Sequence, residues 1–429
     1  WSLAATQWSY SGVNGQAMTL LSLGILDRRG ADVLLPSHGD PIDDPGAAIA
    51  LTQERLAELA ALRREEEAPL PWRPWLDAPW AEVTPHLLLN TTSIANCYAV
   101  LSETGEALIV DWGYDLWTGW TLGGPRHACR PLLASIEALK RNHGVRRIAA
   151  VVTTHYHDDH VAGVNLLRDV EGAEVWSPEN VAPILEHPER YDLPCLWFDP
   201  VPVDRTLRFG EDVRWNEIRI AAHPLPGHTR YAAAIELELD GKRILATGDE
   251  QTHQADGRMI PNYQYRNRFA IDDFVHAAEL YRRLEPDLIL TGHWGAHPLA
   301  QDELAQFARD GERVAELHRE LLEVPDAEGI FARLTPYRST AARGETLELV
   351  AEVRNPFPDE RRAALSLAAP AGWSAEPPAH DLVLPAGAEQ TATFALTVGA
   401  DPGRTPVGLR VALGDLDLGE HAEAVVTVA

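Results

Sequence analysis

The sequence predicts an α+β body followed by an all-β domain, and three observations carry that reading. Between about residues 84 and 298, short apolar runs of strand length alternate with stretches of helical periodicity. Within that region Asp240-Gly241, a favoured two-residue turn, lies between the runs 232–239 and 242–247 and predicts a hairpin. Beyond Gly329 the apolar period becomes two, as in Leu347, Leu349, Ala351 and Val353.

In chain order, residues 1–66 read as helix, strand, loop and helix. Asp32-Val33-Leu34-Leu35-Pro36-Ser37-His38 parallels Asp287-Leu288-Ile289-Leu290-Thr291-Gly292-His293, and Tyr10 to His38 spans the same length as Tyr265 to His293. Either these are two copies of one unit or two helix-strand-loop units resemble each other by chance. Residues 67–83 form a Pro/Trp linker, because their prolines forbid a helix and their tryptophans suit docking onto a neighbouring surface. The body, 84–323, carries expected strands at 86–89, 98–101, 108–111 and 148–153, helices at about 130–142 and 271–284, and a last helix that stops before Val324-Pro325-Asp326. Residues 329–429 hold about seven short strands broken by Gly and Pro turns, the pattern of an immunoglobulin-like sandwich.

The length of 429 residues allows several domains, and the net charge of −27 repels polyanions, so nucleic acid and anionic membrane are excluded as partners and a small molecule is expected. No apolar run approaches the roughly 20 residues of a membrane span, so a soluble protein without membrane insertion is expected. Cys97, Cys129 and Cys195 form neither a disulfide framework nor a zinc-finger spacing and read as buried free thiols. The first residue is Trp1, so the native start is expected upstream and a signal peptide is not readable.

Residues 153–165 read Thr-Thr-His-Tyr-His-Asp-Asp-His-Val-Ala-Gly-Val-Asn directly after an apolar strand. Histidine and aspartate both suit a borderline divalent metal. A loop at a strand end can turn His155 and His157 to one point and Asp159 and His160 to an adjacent one, so two metals fit side by side.

His155-Tyr156-His157-Asp158-Asp159-His160 resembles the His-x-His-x-Asp-His signature of the metallo-β-lactamase-fold hydrolases. Pro226-Gly227-His228-Thr229, Thr247-Gly248-Asp249 and Gly292-His293 resemble that family's later motifs, in its order. The resemblance implies an αββα sandwich with the metals at one edge. It assigns His155, His157 and His228 to one metal, Asp159, His160 and His293 to the other, and Asp249 to both. It implies two divalent ions, zinc first with manganese or iron as alternatives, and hydrolysis of an ester-like bond by a bridging hydroxide. Asp159 and Asp249 are then catalytic, Asp159 orienting the hydroxide or relaying its proton.

Several branches of the family fit less well. Flavodiiron relatives carry Glu at the position of His157, true β-lactamases lack an aspartate at that of Asp249, and RNA-processing members act on polyanions. A mononuclear-iron thiol or persulfide dioxygenase, or an inactive binding protein on the same fold, remains the alternative. Arg230 and Tyr231, bulky beside His228, either contact substrate or pack and form an ion pair, and Tyr263 and Tyr265 are further candidate substrate contacts in a loop that caps the site or lies beside it. His253 and His297 flank ligand segments as supporting or surface groups. The last domain, with Ala369-Pro370-Ala371-Gly372-Trp373, resembles the NEW3-type domains of secreted or cell-surface bacterial enzymes, which implies such a location and a glycan or protein contact. His38 resembles the last ligand of another such metallo-domain, so residues 1–66 read as a remnant of its C-terminal end. A homo-oligomer stays open.

Overall fold

The computed structural model describes residues 13–37, 39–63, 77–114, 129, 132–254, 257–264, 266–322, 326 and 328–429. The first sheet runs in chain order: β1 (Trp80–Thr84), β2 (Leu87–Asn90), β3 (Tyr98–Leu101), β4 (Glu106–Val110), β5 (Arg147–Val152), β6 (Glu174–Pro178) and β7 (Arg205–Leu207). Its first four strands pair antiparallel and its last four parallel. The second sheet comprises β8 (Asp212–Trp215), β9 (Ile218–Pro224), β10 (Ala233–Leu239) and β11 (Lys242–Gly248), continued by β14 (Leu288–Thr291) and β15 (Ala296–Pro298). A small hairpin, β12 (Gln251–His253) and β13 (Met259–Pro261), stands apart from both.

Alternating side chains make the two sheets face each other, since successive strand residues point to opposite faces. Leu108, Val110, Ile235, Leu237, Ile244 and Ala246 share the central core, whereas Ala107, Ile109, Ala234 and Leu245 face outward. Helices cover both outer faces. Before the body come α1 (Val13–Arg28) and α2 (Pro45–Arg63); on the first sheet lie α3 (Leu132–His143), the short α4 (Asp158–Val161), α5 (Val164–Glu171) and α6 (Ala182–Glu186). On the second lie α7 (Asp273–Leu284) and α8 (Gln301–Leu321), whose Phe274, Tyr281 and Phe307 pack on Leu245 and Ile289. The result is the expected αββα order. Within it Asp240 (φ 52°) and Gly241 (φ 70°) supply the left-handed pair that a tight hairpin between β10 and β11 needs.

Residues 332–428 form two further sheets around their own core. One contains Ala332–Thr335, Thr346–Arg354, Glu389–Thr397 and Ser374–Glu376; the other contains Arg338–Ala341, Leu416–Val428, Gly403–Leu413, Arg361–Ala368 and Ala379–Leu384. Leu349, Val353, Phe394, Leu409 and Val426 meet between them, and Trp373 packs half-buried at the edge of that core. These nine strands exceed the seven expected, because short edge strands such as Ser374–Glu376 carry too few residues to show a period.

Three sequence expectations are corrected. Trp80 belongs to β1 and not to a linker: it is buried, donates from Nε1 to Ser135 O at 2.8 Å and stacks on Trp112, while residues 64–76 lie outside the described residues. Cys195 is exposed, in contrast to buried Cys97 and Cys129. The segment 256–268, expected as a loop, contains β13, which pairs with β12 just before it; three-residue strands are too short to show a period.

The two similar segments share a local topology. Leu34 bridges antiparallel to Ile42 between α1 and α2, as Ile289 pairs with His297 between α7 and α8. The second unit is completed by β11, which pairs with β14 and buries Leu290; in the first unit Val33 and Leu35 are exposed. His38 lies outside the described residues.

Asp273 at the start of α7 offers a stability test. Burial pushes its carboxyl up to about 6, while Oδ2 accepts from Ala270 N at 2.6 Å. A carboxyl raised above its unfolded value of about 4 favours folding only when protonated, so that contribution is full below about pH 4 and declines as pH rises through about 6. Asp273→Asn keeps the acceptor and should raise the thermal midpoint by about 2–5 °C at pH 7 and leave it unchanged at pH 4, as read by calorimetry.

Candidate metal centre

The site is built at strand ends along one edge of the double sheet. Beyond β5 the backbone carries His155 and His157, bridged to Ala232 and Leu196, and enters α4 with Asp159 and His160. His228 follows β9, Asp249 follows β11 and His293 follows β14. All seven residues expected from the sequence converge. His155, His157, His228 and Asp249 bring donor atoms within 4.8 Å of one another, and Asp159, His160 and His293 form an adjoining group. Asp249 joins the two, with Oδ1 3.3 Å from His160 Nε2 and Oδ2 3.2 Å from His293 Nε2 and 3.6 Å from His228 Nε2.

Each imidazole is anchored by one nitrogen and offers the other. His160 Nδ1 donates to Asp111 Oδ2 at 2.8 Å, His228 Nδ1 to Asn262 O at 2.9 Å and His293 Nδ1 to Ile94 O at 3.2 Å. Thr154 Oγ1 commits its hydrogen to Asp111, so it accepts from His155 Nδ1 at 3.1 Å. His157 is reversed: Nε2 donates to Asn267 Oδ1 at 3.1 Å and Nδ1 points to His228 Nε2, 3.2 Å away. In neutral His155, His157 and His228 the anchored nitrogen fixes the tautomer, which leaves the inward atom a free lone pair.

A metal fits these residues. His155 Nε2, His160 Nε2 and Asp249 Oδ1 are buried with no hydrogen-bond partner, a cost of about 1–3 kcal/mol for each such group. Nitrogen and carboxylate donors at such spacing suit a borderline divalent ion. Burial, reinforced by neighbouring imidazoles, holds His155 and His157 below the usual imidazole range, His157 at about 3. Burial also lowers His228, so these three are neutral, as ligands must be. Burial opposes protonation of His160 and His293 as well, but the surrounding carboxylates outweigh it and lift His293 to about 9. Asp159 and Asp249 stay ionised against burial because His160 and His293 face them.

Sequence reading missed three supporting residues, Asp111, Asn262 and Glu250, and placed Asn267 in the loop 256–268 without a role. Asp111, buried at the end of β4 in the left-handed region (φ 57°), accepts from Thr154 N, Thr154 Oγ1 and His160 Nδ1. Its signal was a carboxylate directly after a buried apolar strand. Asn262 and Asn267, in the loop after β13, and Glu250, beside Asp249, carried no local pattern. Glu250 Oε2 accepts from His228 N at 3.2 Å, and burial raises its carboxyl well above the usual range.

Among the expected substrate contacts, the described residues Arg230, Tyr231 and Tyr263 make their contacts outside the donor groups. Arg230 pairs with Glu389 at 3.2 Å and Tyr231 packs between Tyr156, Tyr191 and Arg268, because this stretch lies where the C-terminal sandwich docks. Tyr263 is half-exposed against Phe269, Phe274 and His318, and Tyr265 lies outside the described residues. His253 and His297 stack on each other, ring centres 4.1 Å apart, and neither belongs to a donor group.

Residues 90–293 match the model of the metallo-beta-lactamase superfamily. A probable metallo-hydrolase of Mycobacterium tuberculosis is 27% identical over 246 residues, 50% of this chain and 77% of that protein, and a probable metallo-hydrolase of Mycobacterium bovis matches equally. Among solved structures, the native metallo-beta-lactamase from Legionella gormanii is 16% identical, covering 57% of this chain and 97% of that chain at a TM-score of 0.42. A subclass B3 metallo-beta-lactamase of Bradyrhizobium japonicum is 18% identical, covering 58% and 97% at a TM-score of 0.41.

Gly292 tests how the carboxylate is placed. A methyl group there would overlap Asp249 Oδ1 and press on His160 Cε1. Gly292→Ala should therefore displace Asp249 and lower bound metal to one equivalent or less by elemental analysis, with the far-ultraviolet spectrum unchanged.

Proposed function

We propose that this chain, whose residues 90–293 match the model of the metallo-beta-lactamase superfamily, is a dinuclear metallohydrolase acting on an ester-like bond of a small molecule. The observation that carries this reading is the convergence of five inward imidazole nitrogens, each with its other nitrogen anchored, on ionised Asp249 and Asp159. When bound, two divalent ions supply Lewis acidity and a water that ionises near neutral pH. Zinc suits the donor set, with manganese and iron as alternatives.

The chain's own residues divide the work. His155, His157 and His228 would hold the first position and Asp159, His160 and His293 the second, with Asp249 facing both. Asp159 is the less buried carboxylate, its side chain 20% exposed, and its Oδ2 lies 3.2 Å from His293 Nε2. Ionised, it can orient the attacking water and take its proton on Oδ2. Its neighbour Asp158 is kept aside by Tyr114, whose hydroxyl donates to Asp158 Oδ2 at 2.9 Å. Thioester, lactone, carboxylic, phosphate and sulfate esters all suit this arrangement, and the charge of −27 disfavours polyanionic substrates. Among the described residues no helix is long and apolar enough to cross a membrane. A secreted or cell-surface setting, with glycan or protein contact through the last domain, belongs to the same proposal.

Elemental analysis of zinc- or manganese-loaded protein should find about two ions per chain, and a panel of the five ester classes should identify the substrate. Asp159→Ala should then lower kcat by about 10²–10³-fold. A single iron with thiol-dependent oxygen uptake would overturn the hydrolase reading.

A further inference from the structure

The loop 266–268 links the metal centre to the C-terminal sandwich. Asn267 is 2% exposed. Its Oδ1 accepts from His157 Nε2 at 3.1 Å and from the Tyr156 hydroxyl at 2.6 Å, and its carbonyl accepts from Arg230 N at 2.9 Å and Thr229 Oγ1 at 3.2 Å. One side chain thus sets which nitrogen of His157 faces the first group, and one carbonyl fastens the segment just after His228. The loop does not support itself. On either side of Asn267, Arg266 (φ 69°) and Arg268 (φ 60°) are in the left-handed region, which L-residues hold only under external constraint.

That constraint comes from the sandwich strands, from Glu328 just before them and from Asp192 of the body, which the sandwich itself contacts through Arg333. Arg268 N donates to Glu328 Oε1, and the guanidinium lies 5.4 Å from the Tyr231 ring centre, bonds the Tyr231 hydroxyl and sits 3.5 Å from Glu352 Oε2 on strand Thr346–Arg354. Arg266 pairs with Asp192 at 2.6 Å, and the Asp192 carbonyl accepts from Arg333 of strand Ala332–Thr335 at 3.2 Å. The side chains of Glu328 and Arg268 are 3% and 9% exposed, so this contact is desolvated, unlike the rim pair Arg230–Glu389 at 47% and 38%.

We propose that the C-terminal sandwich is a working part of the metal centre: Glu328 and Glu352 hold Arg268, Arg268 holds the loop, and Asn267 thereby keeps His157 Nδ1 turned inward. Arg268 is a positioning residue in a domain contact that the superfamily body does not itself contain. The inference rests on the dinuclear reading above.

The test is titration of the full-length chain with cobalt(II) alone, followed by its visible absorption. In Arg268→Ala one of two equivalents should bind about 10-fold more weakly with shifted bands, the other staying within about 2-fold. Arg268→Lys, which keeps a charge beside Glu352, should recover part of the loss, and Arg230→Ala at the exposed rim should match wild type. Should Arg268→Ala fail to fold, Glu352→Gln should show the same change at about 2–3-fold. Wild-type affinity and bands in both Arg268→Ala and Glu352→Gln would overturn this inference alone. A wild-type chain that takes up no cobalt would overturn it together with the dinuclear reading.

Discussion

Five imidazoles and two carboxylates are held within a few ångströms of one another, largely out of water, and His155 Nε2, His160 Nε2 and Asp249 Oδ1 among them have no hydrogen-bond partner. Each unsatisfied buried group costs about 1–3 kcal/mol, and several at one point approach the whole net stability of a domain. That concentration constrains everything around it. The chain must hold these atoms apart by structure it has already stabilised elsewhere, and the double sheet does so, with its central apolar core and helices on both outer faces.

Placing the ligands at strand ends follows from this constraint. A strand end is fixed by the ladder behind it yet free to aim the next residue, and β5, β9, β11 and β14 each deliver one segment to the same edge. Close approach is then limited by volume. Gly292 is small because Asp249 occupies the place of a side chain there, and Gly248 lies against Thr154 and His155 in the left-handed region. Outside the ligands a ring of acceptors, comprising Asp111, Thr154, Asn262, Asn267 and the Ile94 carbonyl, holds each imidazole in one tautomer. The sandwich domain extends this support outward through Arg268.

Residues whose chemistry is concentrated in short segments were readable in one dimension. His155, His157, Asp159 and His160 fall within six positions after an apolar strand, and His228, Asp249 and His293 each follow another such strand, so chain order alone assembled the set. The αββα layering was equally legible from alternation and from the Asp240-Gly241 turn. Strand boundaries moved by a residue or two, and the β12–β13 hairpin and the shortest sandwich strands went unseen, since three residues carry no period.

By itself, then, the sequence singled out the seven His and Asp residues that converge and the layer order, because residue type and local pattern encode both. Only the tertiary structure decided the supporting shell and the fate of the bulky neighbours. Asp111 meets His160, and Asn267 meets His157, across long stretches of chain, so no spacing announces either contact. Arg230 and Tyr231, close in sequence to His228, are turned toward Glu389 and Arg268 where a domain that begins about a hundred residues later packs against them. Adjacency along the chain fixes distance between backbones, whereas the direction of a long side chain is set by whatever surface packs against it.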